Sequence, residues 1–159
     1  MAEVKIEKAT IENLREIQNL SYELCKKEEK EFDPTINVNK PFSKEGEEYF
    51  RKKIEGKDEC ALIAIADGKI VGYLVGGLAE VESYRKISQI IELGNMFVLE
   101  NYRNLGIGTK LIKEFFNWCK TKGINRMKVV VSARNIRGIN FYKKNGFFDY
   151  DVVLERGKK

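Results

Sequence analysis

Apolar and polar positions alternate along Val4-Lys5-Ile6-Glu7-Lys8, the period of a half-buried strand. Leu14, Ile17, Leu20 and Leu24 then recur at helical spacing, which predicts a helix reaching about Lys30 with the Thr10 hydroxyl as its N-cap acceptor. Both prolines fall between Phe32 and Pro41, which reads as a loop. Ser43 is placed to cap a second helix with Tyr49, Phe50 and Ile54 on one face and Gly56 as its stop. The apolar runs Ala61–Ala66 and Ile70–Val75 flank Asp67-Gly68, which predicts a hairpin because the favoured two-residue turn needs positive φ at both centres. Ile87–Leu99 is a long strand candidate. Leu111, Ile112, Phe115, Phe116 and Cys119 predict a helix ending before Gly123, and Met127–Val131 a further strand. Strand, helix and strand in so short a stretch form a βαβ unit with parallel strands. A short helix carries Ile139–Tyr142, and Phe147–Leu154 has the pattern of one or two final strands.

The length of 159 residues fits one domain, 1–159, with no repeat or linker to divide it. Histidine is absent. That excludes a Ser-His-Asp triad, a Cys-His dyad and His-ligated zinc, and leaves acid–base chemistry to Glu, Asp, Tyr, Lys, Cys or water. Cys25, Cys60 and Cys119 form no CxxC pair and read as reduced core thiols in a reducing compartment. No run is long and apolar enough for a membrane span, and no signal-peptide pattern opens the chain, so a cytoplasmic protein is expected.

The charge is uneven. Residues 101–159 carry 14 basic and 4 acidic side chains, a sum of +10, whereas residues 1–100 carry 15 and 20, a sum of −5. A basic third of this kind fits a polyanion. Nucleic acid is a poor candidate, because the basic positions are scattered and no nucleic-acid motif is present.

Arg103-Asn104-Leu105-Gly106-Ile107-Gly108-Thr109 lies between the long strand and the following helix. Two glycines at a helix start let backbone N–H groups face an anion closely, and the helix end favours negative charge. A pyrophosphate suits this turn. The Walker pattern is absent, and the dinucleotide fingerprint fails because Leu111 stands where its third glycine belongs.

Arg-x-x-Gly-x-Gly after a strand ending in Met96-Phe97-Val98 resembles the acetyl-CoA motif of the GNAT superfamily of N-acetyltransferases. Val129–Asn135 resembles that family's fifth strand and its Asn, and Phe141-Tyr142-Lys143-Lys144-Asn145-Gly146-Phe147 its Tyr-x-x-x-Gly-Phe signature. The resemblance covers roughly residues 87–148. It implies an α/β fold with a mixed six- to seven-stranded sheet, about four helices, and a splayed parallel strand pair that takes acetyl-CoA as co-substrate, with no metal. Met96, Phe97 and Val98 would meet the pantetheine arm, residues 103–109 the pyrophosphate, and Asn135 the arm again. Tyr142 would be the general acid. Glu92 would be the base or water-orienter, sharing strand parity with Met96 and Val98 unless a bulge intervenes. Many members carry a glutamate where this chain has Gly94, and alanine where it has Gly138. The resemblance implies an amine acceptor, and the acidic first hundred residues suggest a cationic one. Homodimers are common in the family. The alternative is an acyl-CoA-binding module without turnover.

Overall fold

The computed structural model describes residues 3–158. In chain order the elements are β1 (Val4–Lys8), α1 (Leu14–Glu31), α2 (Lys44–Glu55), β2 (Glu59–Ala66), β3 (Lys69–Ala79), β4 (Ile90–Val98), α3 (Ile107–Thr121), β5 (Met127–Val129) and α4 (Ile136–Lys144). They form one sheet in the order β1-β2-β3-β4-β5. The first four strands pair antiparallel, and β5 joins β4 in parallel through α3.

The local chemistry explains these boundaries. Asp67 and Gly68 both have positive φ, 52° and 71°, as the tight β2–β3 turn requires. Ser43 Oγ accepts the Gly46 N–H at 3.1 Å at the start of α2, and Gly56 is its C-cap. At the first helix the expected cap differs. Thr10 heads a short 3-10 turn, and Asn13 Oδ1 accepts the Thr10 N–H at 2.9 Å. The amide oxygen serves the N–H of Thr10 itself, and the Thr10 hydroxyl donates to the same oxygen at 3.3 Å instead of accepting from a helical N–H.

Each sheet face buries its own core. Ile91, Leu93, Leu111, Ile112 and Phe115 pack on the α3 face; Ile17, Leu20, Phe50, Tyr73 and Phe97 pack beneath α1 and α2. Cys60 and Cys119 are buried free thiols and Cys25 is a half-buried one.

The sheet has five strands where six or seven were expected. Among the described residues, Phe147–Leu154 pairs with no strand. Its last backbone tie is the Phe147 N–H to the Tyr142 carbonyl at 3.1 Å. Beyond it Phe148, Val152 and Leu154 are 70%, 83% and 88% exposed.

Candidate active site

The parallel pairing of β4 and β5 covers only Ile91–Leu93 against Met127–Val129. The cause lies in the register of β4 with β3. Val75 faces Asn95 and Gly76 faces Leu93, so Gly94 is an extra, bulged residue. From Gly94 onward β4 leaves β5, and a cleft of about 1580 Å³ opens between them, roofed by α1 and closed by the α3 start and α4. This is the expected splayed pair.

One wall is the turn before α3. Asn104 and Gly106 both have positive φ, 62° and 77°, which curls the backbone ahead of the helix. No side chain caps that end. The Lys110 N–H reaches the Gly106 carbonyl at 3.0 Å, leaving the N–H groups of Ile107, Gly108 and Thr109 at the head of the helix, facing the cleft they line. A Cβ on Gly108 would sit 3.0 Å from the Phe141 ring and 3.4 Å from the end of Met96, so glycine permits the close approach of α3 and α4 here. These features fit a pyrophosphate.

Arg103 does more than face an anion. Its Nε donates to the Val98 carbonyl at 2.8 Å, and its guanidinium lies 5.0 Å from the centre of the Phe97 ring. Partial burial lowers its pKa from the usual value. The side chain therefore ties the end of β4 to the turn. Asn104 Oδ1 accepts from Arg137 at 3.1 Å, tying the turn to α4. Leu105 is half exposed and does not line the cleft.

Asn135 is the N-cap of α4; its Oδ1 accepts the Gly138 N–H at 2.9 Å. This explains the glycine at position 138, because a Cβ there would stand 2.5 Å from the Asn135 amide nitrogen.

Tyr142, on α4, lines the cleft. Its ring packs edge-on against Phe141 and Phe147, with centroids 5.3 Å and 5.6 Å away. Burial, with the nearby charge of Glu28 adding to it, pushes its phenol up to about 12. The phenol therefore keeps its proton at any ordinary pH.

The bulge settles the parity of Glu92. Before it, Ile91 and Leu93 face α3; after it, Met96 and Val98 do, while Phe97 faces α1 and α2. Glu92 thus shares the face of Asn95 and Phe97 and lies opposite Met96 and Val98. Its carboxylate pairs with Lys128 at 3.3 Å, outside the cleft lining, which begins at Gly94. Beside it the Tyr49 hydroxyl fills the space a side chain at Gly94 would need. Burial, with Glu92 and Glu59 adding negative charge, pushes Tyr49 up to about 12.

The roof supplies residues that the sequence reading passed over. Ser21, Cys25, Glu28 and Phe32 follow at spacings of four, three and four on α1 and its C-cap, and all line the cleft. Below them the buried Tyr73 hydroxyl bonds to Asn95 Oδ1. The spacing was visible, but the apolar stripe Leu14–Leu24 defines the core face of that helix, and the neighbouring polar stripe reads as solvated.

A model of the acetyltransferase (GNAT) family matches residues 12–147. The chain belongs to this family of acetyl-CoA-dependent acyltransferases. It is 28% identical to an uncharacterised N-acetyltransferase of Methanocaldococcus jannaschii over 66% of this chain; the match spans 46% of that relative's length. It is 29% identical to an N-alpha-acetyltransferase of Sulfurisphaera tokodaii, over 76% of this chain and 77% of that one. A predicted acetyltransferase of Clostridium acetobutylicum, solved with acetyl-CoA, shares the fold at a TM-score of 0.77 and 22% identity, over 98% of this chain and 96% of that one. Among the described residues, no helix is long and apolar enough to cross a membrane.

Proposed function

We propose that the chain moves the acetyl group of acetyl-CoA to a primary amine by direct attack, with Tyr142 as general acid. One observation carries this reading: a single cleft joins an uncapped helix start suited to a pyrophosphate and a half-buried phenol whose pKa is raised. Residues 103–109 and Gly108 in particular would hold the phosphates. The open edge of β4 beyond Gly94 offers Met96, Phe97 and Val98 to the amides of the pantetheine arm in the manner of an added strand. Asn135 would serve the arm through its amide N–H groups, since its oxygen caps α4. The co-substrate supplies the thioester that the amine attacks. Tyr142 gives its proton to the departing thiolate. Glu92, held by Lys128 and outside the cleft lining, would act on the amine only through water.

The acceptor in this reading is cationic, because the 15 basic and 20 acidic side chains of residues 1–100 leave that part negative. A thiol-release assay over charged and uncharged amines and peptides tests the proposal, with the acetylated product read by mass spectrometry. Tyr142→Phe should lower kcat about a hundredfold while acetyl-CoA still binds. Binding of acetyl-CoA without turnover of any amine would favour the acyl-CoA-binding module.

A homodimer also fits. Among the described residues, the outer edge of β5 has no strand partner, and the exposed arm Phe148–Leu154 is in no strand. Asp151 on the arm complements Arg126, which immediately precedes β5. A second copy's arm, laid along that edge, would cover both surfaces.

A further inference from the structure

We infer that Glu28 receives the ammonium group of the acceptor in the cleft and takes the proton that the nitrogen must lose before it attacks. The inference rests on the amine-acetyltransferase reading above and names the residue that defines its acceptor.

The carboxylates around the cleft differ in their partners. Glu23 pairs with Lys26 and Glu31 with Lys27. Glu100 sits in a short 3-10 turn at the mouth. Glu28 is half-buried, and among the described residues its carboxylate has no ion pair and no hydrogen bond. It stands on the α1 stripe that roofs the cleft, one turn beyond Cys25. Glu28, Cys25 and Tyr142 line the same cleft, and the charge of Glu28 adds to the raised pKa of Cys25, of Tyr142 and of Tyr73.

A carboxylate removed from water and left unpaired is costly. Burial, with Asp33 adding to it and Lys27 opposing it, raises the pKa of Glu28 above the usual carboxylate value. An ammonium on the ligand would offset that cost, and a raised carboxyl pKa makes Glu28 a better proton acceptor than an exposed glutamate. Of the described α1 carboxylates that line the cleft, Glu28 is the one without an ion pair. The acceptor class that fits is an aliphatic primary amine, charged in solution, reaching the cleft under α1.

The protons balance. Glu28 takes one proton from the ammonium, which frees the nitrogen lone pair. Attack forms the C–N bond and breaks the C–S bond of the thioester. Tyr142 protonates the departing sulfur and regains a proton from the nitrogen as it becomes an amide. Glu28 then releases its proton to water, so each turnover frees one proton.

The test uses the full chain with two probes, 1,4-diaminobutane and a tripeptide with a free N-terminus, followed by thiol release. Acetyl-CoA binding is measured alongside by calorimetry. Glu28→Gln should raise KM for each accepted probe and lower kcat, at least about tenfold in kcat/KM, with the Kd for acetyl-CoA unchanged. Glu28→Asp should recover part of the activity, and Glu16→Gln, on the exposed face of α1, should change nothing. Undiminished kcat/KM in Glu28→Gln overturns the assignment alone and leaves the acetyltransferase reading standing. Loss of acetyl-CoA binding in Glu28→Gln, with the fold intact by circular dichroism, also overturns it. A parent chain that binds acetyl-CoA and turns over neither probe overturns both readings for these amine classes.

Discussion

The hydroxyl of Tyr49, on α2, occupies the space that a side chain on Gly94 would fill in the bulge of β4. At the position where the family resemblance implies a glutamate in many members, a phenol from another element fills the space. That phenol is held in its protonated form by burial, and it cannot take a proton at neutral pH.

Gly94→Ala should therefore destabilise the fold by about 1–3 kcal/mol, since the added carbon meets a packed ring. Tyr49→Ala alone should also destabilise, by emptying part of the α2 face. The two changes together should cost less than their sum, because each relieves the other. Denaturant unfolding of the four proteins in a double-mutant cycle measures this. Simple additivity would show that the two residues do not compete for space.

At Gly138, helix propensity and the cap point in opposite directions. Replacing an exposed helical glycine by alanine ordinarily gains about 1 kcal/mol. Here the new carbon would displace the Asn135 side chain, which caps the same helix. Loss of a cap costs about 0.5–2 kcal/mol. Gly138→Ala should be neutral to destabilising in the parent chain and stabilising in an Asn135→Ala background. Thermal unfolding of the pairs reads the change of sign.

Much of this arrangement was legible in the sequence. The Asp67-Gly68 hairpin, the Ser43 cap and the βαβ unit around α3 rest on local chemistry, and local chemistry is what a sequence displays. The Arg-x-x-Gly-x-Gly turn likewise lies together in the chain. The bulge at Gly94 was not legible, because it depends on how β4 meets β3, and it reverses the facing of Glu92 relative to Met96. The family resemblance implies that the first two helices shape the acceptor pocket, roughly Tyr22 to Phe50, but which side chains of α1 face the cleft was hidden for a related reason. Glu28 and Tyr142 are more than a hundred positions apart, and only the packing of α1 over the splayed strands brings them to one site.

The arm Phe148–Leu154 predicts a dependence on concentration. A strand edge and an apolar arm left open on one chain are satisfied together by exchange with a second copy. Light scattering after size exclusion should find a dimer in the micromolar range. Deleting residues 148–159 should give a monomer, and Val152→Lys with Leu154→Lys should do the same while keeping the chain length. A monomer for the parent chain at high concentration would sink the exchange.

Buried and half-buried thiols and phenols link stability to alkaline pH, and four of them are shifted to about 12. Burial pushes Cys60 and Cys119 up to about 12 from the usual 9, and Tyr49 and Tyr142 up to about 12 from the usual 10. In each case the folded chain holds its proton where the unfolded chain releases it. Above pH 9 the unfolded state binds fewer protons, so the free energy of unfolding falls as pH rises. The contribution is fully present below pH 9 for the thiols and below pH 10 for the phenols, and it is lost as pH climbs toward 12. Each group can add a slope of up to about 1.4 kcal/mol per pH unit within its window, less where the site relaxes. Denaturant midpoints measured from pH 8 to pH 11 should stay level to pH 9 and then fall. Replacing both Cys60 and Cys119 by Ala should lower stability at pH 8, through lost packing, yet flatten most of the fall between pH 9 and pH 10, leaving the part that belongs to the half-buried Cys25, whose thiol burial also pushes up. The steeper fall above pH 10, which belongs to Tyr49, Tyr142 and the fully buried Tyr73, should remain. A parent chain with the same midpoint at pH 8 and pH 11 would show that these groups titrate alike in the folded and unfolded states.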